Sequence, residues 1–120
     1  MRAIVFAVCL ACVPAFAHAN GFEPIRDKGR FLSLIDGKEL RIGLYNLTLK
    51  VLPDGRISGT ALGWGITGKW NWENGYFCRD MDWSGYAIPR NCQLVEANGD
   101  RELRFTVDQG RGKSASFRLR

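Results

Sequence analysis

From residue 39 onward, apolar and polar side chains alternate. Leu40 and Ile42 are interleaved with Glu39 and Arg41, and Tyr45, Leu47, Leu49 and Val51 with Asn46, Thr48 and Lys50. A period of two marks a strand with one buried face. The Pro-Asp-Gly-Arg run at 53–56 predicts a tight turn, and Arg56–Leu62 a returning strand. Ile66–Trp72 and Tyr76–Met81 flank Asn74-Gly75, the pair best suited to a two-residue hairpin turn. Further strands are expected at Cys92–Ala97, Leu103–Val107 and Ser114–Leu119, with turns at "ANGDR" and "DQGRG". Ahead of them, Arg26–Ile35 reads as one short helix because Phe31, Leu34 and Ile35 can share a face, although Gly29 works against it. The expected fold is mainly β: an antiparallel meander of seven to eight strands, with one short N-terminal helix, closed into a small barrel. A two-layer sandwich is the alternative; closure is favoured because it removes exposed edges.

The central hairpin can be read pair by pair. A two-residue turn sets Glu73 opposite Tyr76, Trp72 opposite Phe77, Asn71 opposite Cys78, Trp70 opposite Arg79 and Lys69 opposite Asp80. One face then carries Trp70, Trp72, Phe77, Arg79 and Met81; the other carries Lys69, Asn71, Glu73, Tyr76, Cys78 and Asp80. Lys69 and Asp80 read as an exposed ion pair. An inward aromatic face sets Arg79 beside Trp70, either as a cation–π partner or as a ligand-binding guanidinium. An outward one makes the tryptophans a platform.

Composition adds a destination. Arg2, a short apolar run from Ala3 to Val13 and "AHA" at 17–19 read as a secretory signal, with cleavage before Asn20 or after Ala17. A lipid-modified Cys12 is the other reading, but Cys9 stands where a bulky aliphatic is wanted. Removing residues 1–19 takes away His18, the only histidine, and Cys9 and Cys12. Histidine-based nucleophilic, acid–base and metal chemistry goes with it. Cys78 and Cys92 remain, and in an oxidising compartment they are expected to form a disulfide rather than half of a zinc site. The chain is therefore read as exported, periplasmic or secreted, and no second apolar run is long enough to span a membrane.

Charge is uneven. Residues 20–100 hold 10 basic and 10 acidic side chains, whereas 101–120 hold six basic and two acidic. Alternation turns Arg104, Arg118 and Arg120 outward as a basic stripe, which serves solubility or offers a contact to an anionic envelope component or acidic protein. Nothing in the chain resembles a nucleic-acid recognition motif. The glycines of 59–68 lack phosphate-loop order, and no helix follows them. Residues 79–91, "RDMDWSGYAIPRN", are the least regular stretch and read as a loop tethered by the disulfide. Asp80 and Asp82 lie on one side of it, without the partners a hydrolase needs. Asp82, Trp83, Tyr86 and Arg90 are its candidates for contact with a partner. With Trp70, Trp72 and Arg79 they form the candidate binding set; no catalytic set, cofactor or metal is expected.

W-x-W-x-x-G-Y-F-C-R at 70–79, N-C-Q-x-V-E at 91–96 and the Asp54-Gly55 turn, within a likeness running from Phe31 to Arg120, resemble a group of small exported alphaproteobacterial proteins. The group is largely uncharacterised, and some members carry an automatic dihydrodipicolinate reductase label. That activity needs a dinucleotide-binding βαβ unit, for which this chain has neither fingerprint nor room. The reading is a small binding module, for a small molecule or an envelope component. The alternative is an inhibitor of a lytic hydrolase that presents the 79–91 loop.

Overall fold

The computed structural model describes residues 3–5 and 21–120. The expected signal segment therefore lies, apart from 3–5, outside the described residues. Eight strands form a closed antiparallel meander: β2 (Leu40–Ile42), β3 (Leu47–Val51), β4 (Arg56–Ala61), β5 (Trp64–Glu73), β6 (Tyr76–Trp83), β7 (Tyr86–Asn98), β8 (Glu102–Thr106) and β9 (Ser114–Leu119). Each pairs with the next, and β9 returns to β2 through Leu40↔Leu119 and Arg41↔Arg118. The barrel alternative is the one adopted. A short strand β1 (Glu23–Ile25) lies beside Val95–Ala97, the part of β7 that runs on past the start of β6.

The period-two pattern is the inside–outside alternation of the barrel. Leu40, Leu49, Val51, Ile57, Ile66, Trp70, Phe77, Val95, Leu103, Phe105 and Phe117 are buried in one continuous core. Glycine is required where the wall is tightest: a Cβ on Gly59 would lie 2.0 Å from the Thr48 carbonyl oxygen. The central hairpin has the expected register throughout, from Glu73↔Tyr76 to Lys69↔Asp80, although Lys69 and Asp80 are not within ion-pair distance. Its Asn74-Gly75 turn has both residues at positive φ, 51° and 81°.

One end of the barrel is plugged. Helix α1 (Lys28–Ile35) is shorter at its start than expected, because Asp27 caps it by accepting a hydrogen bond from the Arg30 amide at 3.0 Å. Phe31 and Ile35, one turn apart, are buried. The Phe31 ring sits 5.5 Å from Trp70, 5.1 Å from Trp72 and 5.4 Å from Phe77. Trp72 Nε1 donates to the Arg26 carbonyl and Lys38 Nζ to the Asp100 carbonyl, so the plug is tied to the turns of that end.

The largest departure from expectation is 79–91. It is no loop: β6 and β7 run straight through it, joined by the two-residue turn Ser84-Gly85 at φ 48° and 95°. What made it look irregular is Pro89, which has no amide to give to a ladder. The strands accommodate it with a bulge: Arg79 pairs with Asn91 but Met81 with Ile88, so β7 carries one extra residue between them. The Cys78–Cys92 disulfide joins directly opposed residues beside that bulge, on the outer face, with Cys78 fully buried.

Candidate functional site: a cavity in the barrel with a buried arginine

Opposite the plug, the barrel interior is not filled. A cavity of about 270 Å³ lies between Leu40, Leu49, Val51 and Ile57 on one wall and Phe77, Phe105 and Phe117 on the other. It reaches solvent beside Val107, Lys113 and Ser114, at the strap between β8 and β9. The lining is mostly apolar, which suits a small-molecule site.

Arg79 is the buried charge in that lining. Inward on β6 by the alternation that also buries Phe77, it is 9% exposed and lines the cavity. The bulge turns the Pro89 carbonyl towards it, and Arg79 Nη1 donates there at 2.8 Å. That is its one side-chain hydrogen bond among the described residues, and it makes no ion pair. Burial pushes its pKa below the ordinary arginine value, with the Asp80 charge next in the chain working the other way. A guanidinium nonetheless stays protonated, so the cavity holds a fixed positive charge. Gln93, 7% exposed, adds an amide to the same wall. Among the described residues no aspartate or glutamate lines the cavity.

The expected site residues are distributed differently from the sequence reading. Trp70 and Trp72 belong to the plugged end, their indole nitrogens donating to the Leu52 and Arg26 carbonyls. Trp70 is one ring removed from the cavity, stacked on Phe77 at 5.4 Å. Arg79 and Trp70 are register partners but form no cation–π contact; the cation over Trp70 is Lys28, at 5.6 Å. Arg90 is on the outer wall, bonded to Asn71 and Glu73 at 3.2 and 3.1 Å. Asp82 accepts from the Gly85 amide at 2.8 Å and so holds its turn together. Trp83 is half-buried and donates to the Ala61 carbonyl.

Tyr86, by contrast, stands in solvent at the open end. There it has company that the sequence reading missed: Leu44, Tyr45, Leu62 and Trp64, all exposed, on the neighbouring turns. Leu62 has φ 51°, a left-handed conformation rare for a branched aliphatic. Of the basic stripe, Arg104 is engaged, bidentate to Glu96 at 3.1 and 3.0 Å and 4.3 Å above the Phe22 ring. Arg118 and Arg120 remain exposed.

Glu73, Cys78 and Cys92 bring ligand atoms within 4.8 Å of one another, but both sulfurs are committed to the disulfide. Among the described residues no helix is long and apolar enough to cross a membrane. All the strand pairs are antiparallel, so the barrel offers no βαβ unit of the kind a dihydrodipicolinate reductase would need. No protein-family profile, curated protein or solved structure matches the chain.

Proposed function

We propose that the protein is a non-catalytic binding module that takes a small, largely apolar molecule into the barrel. The observation that carries this is the unfilled, apolar cavity open beside Lys113 in a domain otherwise packed around aromatic rings. Native interiors of this size leave few voids larger than a water molecule, so one of this volume is a feature to explain. Export to an oxidising compartment is part of the same reading, supported by the disulfide and by the signal-like start. So is membership of the small exported alphaproteobacterial group that the 70–79 and 91–96 motifs resemble.

The test is a neutral, environment-sensitive naphthylamine dye titrated into the protein and into Ala115→Trp. Ala115 lines the cavity yet is exposed at its mouth, so an indole there fills space without displacing the core. Dye emission should rise saturably with the wild type, and Ala115→Trp should weaken binding at least about tenfold, roughly one well-buried side chain's worth of contact. Equal binding by both proteins would remove the cavity as the site.

The exposed cluster of Leu44, Tyr45, Leu62, Trp64 and Tyr86 favours a second reading, a protein inhibitor that presents this end to a hydrolase. It uses turns of three hairpins rather than the tethered loop first expected. Inhibition of a peptidoglycan hydrolase by the wild type and its loss in Trp64→Ser would support it; no inhibition by either would dismiss it.

A further inference from the structure

We infer that the ligand of the barrel is a short amphiphile with a single carboxylate, its headgroup held by Arg79 and Gln93 and its tail by the apolar wall. The inference rests on the cavity being the binding site. It starts from an imbalance: Arg79 is nine-tenths buried and permanently charged, its one side-chain hydrogen bond goes to the neutral Pro89 carbonyl, and Asp80, the next residue in the strand, eases its charge without forming an ion pair with it. A buried cation without a counter-charge is unfavourable, and proteins rarely keep one without an acidic side chain beside it. Among the described residues no acidic side chain lines the cavity, so a charge paired directly with Arg79 has to come from outside the chain. Among the described residues no fully enclosed side-chain nitrogen or oxygen lacks a partner. The donors of Arg79 that bond nothing in the protein, and the unbonded amide of Gln93, therefore keep access to the cavity space.

The chemistry of those donors selects the headgroup. A guanidinium presents N–H groups in a planar fork that matches the two oxygens of a carboxylate. An adjacent amide can donate one more hydrogen bond. One buried positive charge balances one negative charge; a phosphate dianion would leave an excess in an apolar wall. The size of the cavity limits the rest. At about 30 Å³ per water-sized group, 270 Å³ accommodates on the order of ten heavy atoms. A carboxylate with a chain of about eight carbons has that size, and Phe77, Phe105 and Phe117 give the chain an aromatic wall to lie on.

The experiment is calorimetric titration of the protein, purified as expressed from the full-length chain, with octanoate and with 1-octanol, alongside Arg79→Gln and Arg79→Lys. Octanoate should bind the wild type about 10- to 100-fold more tightly than octanol, the range expected for hydrogen bonds to a charged partner. Arg79→Gln should erase that preference, so that octanoate binds it no more tightly than octanol does. Arg79→Lys, which keeps the charge, should retain part of it and serves if the glutamine variant does not fold. Equal binding of octanoate and octanol by the wild type overturns the carboxylate while leaving the cavity as the site. A preference for octanoate that persists in Arg79→Gln overturns the role of Arg79 and shifts it to Lys113 at the mouth. Binding of neither compound overturns this inference; if the neutral dye also fails to bind, the cavity reading falls with it.

Discussion

Arg79 shows how a single residue can be legible in type and misread in context. Strand alternation alone puts it on the face of Trp70 and Phe77, and that face is the inside of the barrel. Its true neighbours were hidden because they come from strands distant in sequence: Leu40, Val51 and Phe117 share the cavity with it but no sequence-local pattern. Gln93 was within reach, since it alternates with Val95 and Ala97, both buried. The carbonyl that Arg79 does find depends on a bulge, and bulge positions follow from pairing rather than from composition. A residue kept in so unfavourable a setting should be expensive to the empty protein. We therefore expect Arg79→Met to raise stability in denaturant unfolding by about 1–2 kcal/mol, in line with buried charges replaced by apolar groups of similar volume. The Pro89 carbonyl would be freed, which offsets part of that gain. A destabilised variant would mean that the hydrogen bond outweighs the buried charge.

Among the elements, those defined by local rules were readable and those defined by company were not. The Asn74-Gly75 hairpin has the register expected of it because two residues at positive φ fix which side chains face each other. Ser84-Gly85 and Leu62-Gly63 do the same work with poorer sequence signals, since serine and leucine are not usual first residues of such turns. Leu62 pays for its φ of 51° with backbone strain and gains nothing by burial, being 58% exposed. Leu62→Asn should therefore stabilise the protein by roughly 1 kcal/mol, as a rise in thermal midpoint, because asparagine tolerates the left-handed region. If the open end engages a partner, the same substitution should weaken that contact while strengthening the fold. A neutral or lower midpoint would show that the Leu62 side chain supports its turn in a way that outweighs the strain. The disulfide sits at the same scale. By bridging opposed residues on β6 and β7 it holds the register on either side of the Pro89 bulge, and closing its 14-residue separation contributes about 3 kcal/mol in the loop-entropy account.

For the whole molecule, alternation and turns sufficed for a closed meander, because once every strand has one apolar face a ring of neighbours covers them all. What the pattern could not specify is how full the ring would be. The interior of an eight-strand barrel is just wide enough to be packed with side chains or to hold one small ligand. Here the large rings of Phe31, Trp70 and Trp72 gather at one end and leave the other open. Within the eight-strand ring each ladder but one joins strands adjacent in the chain, so most pairings are local and can form early. The exception is the join of β9 to β2, with two register pairs where β5 and β6 have eight. It is a clasp on an otherwise continuous band, extended by the reciprocal bonds between the backbones of Glu39 and Arg120 at 2.7 and 3.0 Å. In hydrogen–deuterium exchange, amides along that clasp should lose protection well before those of β5 and β6, through openings that leave the rest of the barrel intact. Leu40 and Phe117 flank this join and also line the cavity. A bound molecule touching both would act as a rivet across the clasp, so occupancy should slow exchange most at Glu39 and Arg120, which lie outside the cavity lining; exchange there that ignores occupancy would mean the ring closes without help from its contents.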